Sequence, residues 1–271
     1  MEWSNRIGFI QGRLSPLVDQ KIQAFPWEHW KSEFPAAKDL GLRLMEWTLD
    51  AERIYENPFL KASGEVQQLC RENQLRIPSL TGDFFMQEPF FHRDREVRLD
   101  TLKAVIRSCG DHGTEFLIIP LVDNASLTGP ELEKDLIHGM IEVEKELQSS
   151  GVKVAFESDY GPQELARFIE MLPSSSFGIN YDSGNSASLG YDVQEEFSSY
   201  GPRVLNVHIK DRIRGGTTVP LGEGDVQWSP LFGCLKNYEG NIILQTARAK
   251  KGNHSEVLRK YREFVLEGLS S

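Results

Sequence analysis

Residues 153–182 have the sequence KVAFESDYGPQELARFIEMLPSSSFGINYD, which predicts a strand, a helix and a second strand in succession. The two strands, Lys153–Glu157 and Phe177–Asp182, are short apolar runs bounded by turn residues, and Pro162 marks the first turn of the helix between them. A run such as VKVAF has almost no polar alternation, which is typical of a parallel strand that is covered on both faces. The segment therefore predicts a β-α-β unit of an α/β protein.

The same unit recurs along the whole chain of 271 residues. Eight strand–helix repeats average about 34 residues each, the usual size of one unit of an α/β barrel. Regular alternation is compatible with an open doubly wound sheet or a closed barrel, and the count of eight favours the barrel. We predict one α/β domain over residues 1–271, a single (β/α)8 TIM barrel. The eight predicted strands are Ile7–Ile10, Leu44–Trp47, Arg76–Leu80, Phe116–Pro120, Lys153–Glu157, Phe177–Asp182, Val204–Lys210 and Asn241–Gln245.

The composition excludes several classes of protein. The chain carries 40 acidic and 30 basic side chains, a net charge of −10, which argues against binding to the phosphate backbone of nucleic acids. Three cysteines that are far apart in the sequence argue against a disulfide scaffold or a cysteine zinc site. We see neither a secretory signal nor an apolar run of roughly 18 residues, so we expect a cytoplasmic protein that makes no membrane contact.

Polar residues stand at the ends of the last four predicted strands. These residues are Glu157, Asp182, His208 and Gln245, and they are separated by about one strand–helix unit each. Because the carboxyl ends of barrel strands meet at one mouth, two carboxylates, an imidazole and an amide would converge there. Such a set can bind a divalent cation and leave positions open for a substrate.

Each of these residues also has an ordinary structural interpretation. Asp182 precedes Ser-Gly-Asn and could cap a helix, Glu157 could cap the helix that follows it, and His208 could be a core histidine. Their joint placement at successive strand ends is what favours a site.

Six segments spread over the chain form a recognisable set: GFIQGRL from Gly8, MEW around Glu46, Glu157 itself, YDSGN from Tyr181, VHIKD from Val207, and PLGEGDVQW from Pro220. By these segments the chain resembles the xylose isomerase-like TIM barrel superfamily, the sugar phosphate isomerase/epimerase group that includes ketose 3-epimerases, hydroxypyruvate isomerase and endonuclease IV. The resemblance implies that Glu157, Asp182 and His208 are three of four ligands of one Mn²⁺, Mg²⁺, Co²⁺ or Zn²⁺ ion, and that Arg214 binds substrate.

Gln245 departs from the family pattern, which has a second glutamate at this position. An amide oxygen can still bind a hard cation, but an amide cannot act as a base near neutral pH. Glu157 is then the single catalytic base and also a metal ligand. Two-face epimerisation would need another acid, for which Asp83, Glu88, Lys210 and Asp211 are candidates.

The leading prediction is a metal-dependent isomerase or epimerase that acts on a small sugar-like hydroxy-carbonyl compound through an enediolate. The alternatives are a keto-sugar or keto-inositol dehydratase, and a non-catalytic sugar-binding barrel in which Gln245 marks lost activity. A DNA phosphodiesterase of the endonuclease IV type is disfavoured by the net charge and by the small number of histidines at the mouth.

Further substrate-binding residues are predicted around the mouth, each with a structural alternative. Lys210 would fix a substrate oxygen or pair with Asp211 or Glu223, and Glu46 would contact substrate or a neighbouring strand. The aromatic stretch FFMQEPFFH ends at His92 and would line the pocket, form a lid or contact a second copy in a homo-oligomer. The other two predicted substrate-binding residues are Gln11 and Asn185.

Overall fold

Parallel strands form a closed barrel in the computed structural model, which describes residues 3–88, 94–249 and 252–271. Within these ranges the barrel has eight strands in ring order of the sequence, with the last strand paired to the first. This confirms the predicted (β/α)8 barrel. The strands are β1 (Ile7–Ile10), β2 (Met45–Thr48), β3 (Ser79–Thr81), β4 (Phe116–Leu121), β5 (Lys153–Ser158), β6 (Phe177–Asp182), β7 (Val204–Ile209) and β8 (Asn241–Leu244).

The strand bounds follow the predicted ones, with the largest difference at β3. Pro78 has no backbone N–H to donate, so the regular ladder begins only at Ser79, although Arg76 still pairs with Leu44 as an isolated bridge. A register shift between Ile179 and Asn180 bends β6 against β7. The shift sets Asp182 opposite His208 at the end of the two strands.

Helices cover the outside of the barrel, and three of them begin at a proline, including the helix that Pro162 predicted. Pro58, Pro130 and Pro162 each occupy a first-turn position. The helices are α1 (Glu33–Asp39), α2 (Pro58–Lys61), α3 (Ser63–Asn73), α4 (Phe84–Gln87), α5 (Arg95–His112), α6 (Pro130–Ser150), α7 (Pro162–Glu170), α8 (Ser183–Leu189), α9 (Val193–Tyr200), α10 (Trp228–Leu235) and α11 (His254–Ser270).

The core lies between these helices and the strands and is rich in aromatic rings. Trp47 is fully buried and contacts Phe25, Trp30, Phe34 and Phe59 with ring centroids 5.4–6.5 Å apart. Among the described residues, no helix has the length and apolar character that a membrane crossing requires.

A hairpin that the sequence did not predict follows β7. Asp211–Arg212 pairs antiparallel with Thr218–Val219. The Asp211 carboxylate accepts hydrogen bonds from the backbone N–H groups of Gly222, Gly224 and Val226 at 2.8, 3.0 and 3.2 Å, which fixes the return of the loop. A Cβ at position 224 would lie 2.3 Å from Asp211 Oδ1, so glycine is required there.

Candidate active site

Glu157, Asp182 and His208 meet at the carboxyl ends of β5, β6 and β7. One ligand atom from each residue can be chosen so that all three lie within 4.8 Å of one another. His208 Nδ1 is 3.1 Å from Glu157 Oε2 and 3.8 Å from Asp182 Oδ2. All three side chains are buried, which suits a candidate centre for one cation that is sheltered from bulk water.

Neighbouring amides orient the Glu157 carboxylate. Asn180 Nδ2 donates to Oε2 at 2.8 Å, and Asn185 Nδ2 donates to Oε1 at 2.7 Å. Both oxygens are therefore fixed, and the carboxylate keeps lone pairs for a cation or a proton.

Asp182 has a different set of partners. Its Oδ1 accepts from the backbone N–H of Asn185 at 2.8 Å and so caps α8, as one interpretation of the sequence suggested. Its Oδ2 lies 2.8 Å from Lys210 Nζ. Burial alone would raise the pKa of Asp182, but the positive charge of Lys210 and the hydrogen bond with His208 hold it well below its usual range.

His208 is oriented from the barrel interior by Glu46. Nε2 of His208 lies 2.8 Å from Glu46 Oε1, so Nδ1 is the nitrogen that faces Glu157 and Asp182. Glu46 is fully buried and also accepts from Ser79 and Thr81 on β3, at 2.6 and 2.5 Å. The structure thus places Glu46 behind His208, in contact with the neighbouring strand β3.

The contact between Glu46 and His208 favours a negative charge on the glutamate and a positive charge on the histidine. Burial would raise the pKa of Glu46, but the charge and hydrogen bond of His208, with those of Ser79 and Thr81, lower it. Burial would lower the pKa of His208, but the charge of Glu46 and hydrogen bonds to Asp182 and Glu157 raise it well above its ordinary value.

A cavity of about 480 Å³ opens next to the candidate metal centre. This volume falls in the range of small-molecule sites. The cavity is lined by loops that follow several of the strands, at the end of the barrel where barrel enzymes have their active sites. Its polar lining residues are Gln23, Thr81, Asp83, Asp123, Glu157, Asp159, Asn185, Ser188, Lys210, Arg212, Thr217, Thr218 and Gln245.

Gln245 follows β8 and lines this cavity together with Glu157. Its backbone N–H donates to the carbonyl of Ile209 at 3.0 Å, which sets it beside the end of β7. Its side chain is buried, and within the described parts of the chain Oε1 has no hydrogen-bond partner. A buried amide oxygen without a partner costs free energy unless a ligand or a water satisfies it, so Gln245 fits as a fourth donor to a cation, through its oxygen.

The structure separates the two arginines of the hairpin. Arg212 lines the cavity and donates to Asn185 Oδ1 at 2.9 Å and to the Gly216 carbonyl. Arg214 lies past the paired residues, where its guanidinium packs against Gly190, and it is not among the cavity-lining residues. The sequence RIRGGTT offers both arginines for an anionic ligand, and the family resemblance chose Arg214 because the hairpin was not foreseen.

The remaining predicted substrate-binding residues occupy different positions. Lys210 and Asn185 line the cavity, and Lys210 pairs with Asp182 where the structural alternative named Asp211 or Glu223. Gln11 is fully buried between β1 and β2, where its Oε1 accepts from the Thr48 backbone at 3.3 Å. His92 lies outside the described residues.

Comparison with known proteins agrees with this geometry. A family model described as xylose isomerase-like TIM barrel matches residues 34–265. An inosose dehydratase of Clostridium tetani (strain Massachusetts / E88) is 25% identical over 204 residues, which cover 65% of this chain and 68% of that protein. A putative L-ribulose-5-phosphate 3-epimerase of Escherichia coli (strain K12) is 25% identical over 245 residues, covering 82% and 86%. The crystal structure of IolI protein with a bound zinc atom has a TM-score of 0.74 at 15% identity and covers 98% of both chains, which shows the shared fold.

Proposed function

Because this chain belongs to the xylose isomerase-like TIM barrel family, we propose that it is a metal-dependent enzyme that eliminates water from a small, uncharged polyhydroxy ketone. The observation that carries the proposal is the composition of the site. Glu157 is a carboxylate at the cavity wall beside a candidate cation centre, and an amide, Gln245, stands where the family pattern has a second glutamate.

Glu157, Asp182 and His208 would hold the cation, with the Gln245 carbonyl oxygen as the fourth donor. Two carboxylate oxygens, an amide oxygen and an imidazole nitrogen suit Mn²⁺, Mg²⁺, Co²⁺ or Zn²⁺. When bound, the ion supplies Lewis acidity that polarises a substrate carbonyl and acidifies the neighbouring C–H bond.

Glu157 is the base that takes the proton from that carbon. It lines the cavity, whereas Asp182 does not and is engaged by Lys210 and by the N-terminus of α8. Asn180 and Asn185 are neutral donors that hold the Glu157 carboxylate in a fixed orientation.

Elimination fits this single base better than two-face epimerisation. Epimerisation returns a proton to the opposite face of the carbon, and Gln245 has no carboxyl group with which to do so. The dehydratase relatives support the same choice. Ketose isomerisation or epimerisation is the second candidate, because the epimerase relative covers more of the chain than the dehydratases do.

The charge of the cavity favours a substrate without phosphate. Besides Asp83, three of the lining residues are acidic, and the lining cations are Lys210 and Arg212. Lys210 is already paired with Asp182, so Arg212 is the lining cation that is less committed to a carboxylate. A phosphate dianion needs several such cations, whereas a neutral polyol ketone needs none. The three acidic residues are Asp123, Glu157 and Asp159.

The experiment is a substrate panel with the metal-stripped protein reloaded with each of the four cations. We expect 2-keto-myo-inositol to lose water, which ultraviolet absorbance of the enol form of the 1,2-diketone product measures, and we expect L-ribulose to exchange hydrogen with solvent deuterium faster than L-ribulose 5-phosphate does. The E157Q variant should lose at least about 100-fold in both reactions at saturating metal. A wild-type protein that binds metal but neither exchanges hydrogen nor eliminates water would instead support the sugar-binding alternative.

A further inference from the structure

Asp83 enters the same cavity from the opposite side of the barrel. It follows β3, and in the ring of eight strands β3 stands four positions from β7, which carries His208. Asp83 and Glu157 both line the cavity. Glu157 is on β5, two strands from β3, so a substrate in this cavity would have both side chains beside it.

The structure gives the Asp83 side chain no evident structural task. Asp83 occupies the position before α4, but its side chain makes no capping hydrogen bond. The side chain is 5% exposed, and over the described residues its Oδ2 has no hydrogen-bond partner. The nearby Asp50 carboxylate shows the contrast, because it accepts from the Phe25 backbone at 2.6 Å and from Gln87 at 2.5 Å.

The surroundings of Asp83 favour its neutral form. Burial raises its pKa well above the ordinary value, and the charges of Asp50, Glu157 and Glu46 raise it further, while Lys210 opposes them weakly. A protonated carboxyl group is a hydrogen-bond donor and can deliver a proton. A neutral acid and a base in the same cavity are the pairing that acid–base elimination requires.

We propose that Asp83 is the catalytic acid that protonates the departing hydroxyl group of the substrate. This inference rests on the proposed dehydratase function. A site with one basic carboxylate, Glu157, needs a separate acid to protonate the leaving hydroxyl group in an elimination. Asp83 was one of four candidates for a second acid in the sequence, and of these four Asp83 and Lys210 line the cavity.

The proton transfers balance for a ketone at C1 with hydroxyls at C2 and C3. Glu157 takes the C2 proton, and the C2–H electron pair forms a double bond between C1 and C2. The double bond then moves to C2–C3 as the C1 carbonyl re-forms, the C3–O bond breaks, and the Asp83 proton joins the leaving hydroxyl to give water. C3 finally gains the proton held by Glu157, and the C2 enol proton passes to Asp83, which yields a 1,2-diketone and restores both residues.

The test compares D83N with wild type for two reactions of 2-keto-myo-inositol in deuterated water. We expect D83N to keep exchanging the hydrogen on the carbon next to the ketone while water elimination falls at least about 100-fold, the scale of lost general acid catalysis. The matched control is D100N, an exposed aspartate on α5, which should change neither rate. Infrared difference spectra of the metal-free proteins should show a protonated carboxyl band at neutral pH that D83N lacks.

Two results would overturn the role of Asp83. One is elimination by D83N at the wild-type rate, and the other is an equal loss of exchange and elimination in a D83N protein that still folds and binds metal. If wild type itself never eliminates water, the proposed function fails. The infrared experiment tests Asp83 separately. If the protonated carboxyl band is absent from the wild-type spectrum, Asp83 is not protonated at neutral pH and cannot be the acid.

Discussion

Nε2 of His208 lies 2.8 Å from Oε1 of Glu46, and both side chains are fully buried at the centre of the barrel. The contact leaves Nδ1 of His208 directed to Glu157 and Asp182. Histidine ligands of metals are commonly held in this way by a carboxylate on the other ring nitrogen, which fixes the tautomer and raises the basicity of the ligand atom. Glu46 therefore orients the His208 ring in the candidate metal centre.

We predict that E46Q lowers metal affinity by about 10–100-fold, the usual effect of removing such a partner. Competition with a chelator for Mn²⁺ or Zn²⁺ measures the change. S79A is the matched control, since it removes another hydrogen bond to Glu46 but keeps the contact with His208. An E46Q protein that binds metal as tightly as wild type would show that Glu46 serves only the packing of the barrel.

A second prediction concerns stability and acid. Glu133 on α6 accepts two hydrogen bonds from Arg167 and one from the Tyr160 hydroxyl, at 2.9, 2.6 and 2.9 Å, and the Arg167 hydrogen bonds are the main cause that lowers its pKa. A lowered folded-state pKa adds stability above the unfolded-state pKa, and this stability is lost as pH falls through the folded-state value.

We therefore expect E133Q to reduce the free energy of unfolding by about 1 kcal/mol at pH 7, a small amount because Arg167 is half exposed and solvent weakens the pair. The reduction should be smaller at pH 3, where protonation of Glu133 already weakens the pair in the wild type. Urea unfolding at several pH values measures this. E142Q on the same helix is the control, since its pair with Arg95 is more exposed on the carboxylate side and should contribute less. A pH-independent loss in E133Q would assign the effect to packing.

The strands and the candidate metal centre were predictable because both follow from spacing. Apolar runs mark the strands, and the chain returns to the same mouth once in each unit, so Glu157, Asp182 and His208 had to converge. The family match confirms the predicted resemblance. Contacts across the barrel were not predictable from spacing. Glu46 and His208 are distant in sequence, and only the closure of the barrel brings them together.

Local backbone turns after the strands explain the other differences. Gln11 directly follows β1, but its side chain turns to the β2 backbone and is fully buried. Arg212 and Arg214 differ because the hairpin after β7 orients one to the cavity and carries the other past it. Loop hydrogen bonds such as those of Asp211 decide these orientations, and they involve partners more than ten residues away.

The two arginines give a third prediction. We expect R212Q to raise KM for 2-keto-myo-inositol by at least about tenfold, since hydrogen bonds to a charged donor contribute about 1.5–3 kcal/mol. R214Q should raise KM much less, because the structure places Arg214 against Gly190. Steady-state kinetics of the two variants measure the difference. A larger effect of R214Q would favour the role that the family resemblance assigns to Arg214 and would require the hairpin to rearrange when substrate binds.

The fourth prediction concerns Q245E, which restores the glutamate of the family pattern at position 245. Q245E adds a third carboxylate beside the candidate metal centre, so attraction to a divalent cation should increase metal affinity by about tenfold or more, equivalent to about 1.4 kcal/mol. The new carboxylate also supplies a second base, and we expect Q245E to epimerise L-ribulose, which proton spectra of the product detect. Q23E is the control, because Gln23 lines the same cavity but follows β1, away from β5 to β7. If Q245E binds metal no better than Q23E does, Gln245 is not a ligand, and its unpartnered oxygen must serve the substrate instead.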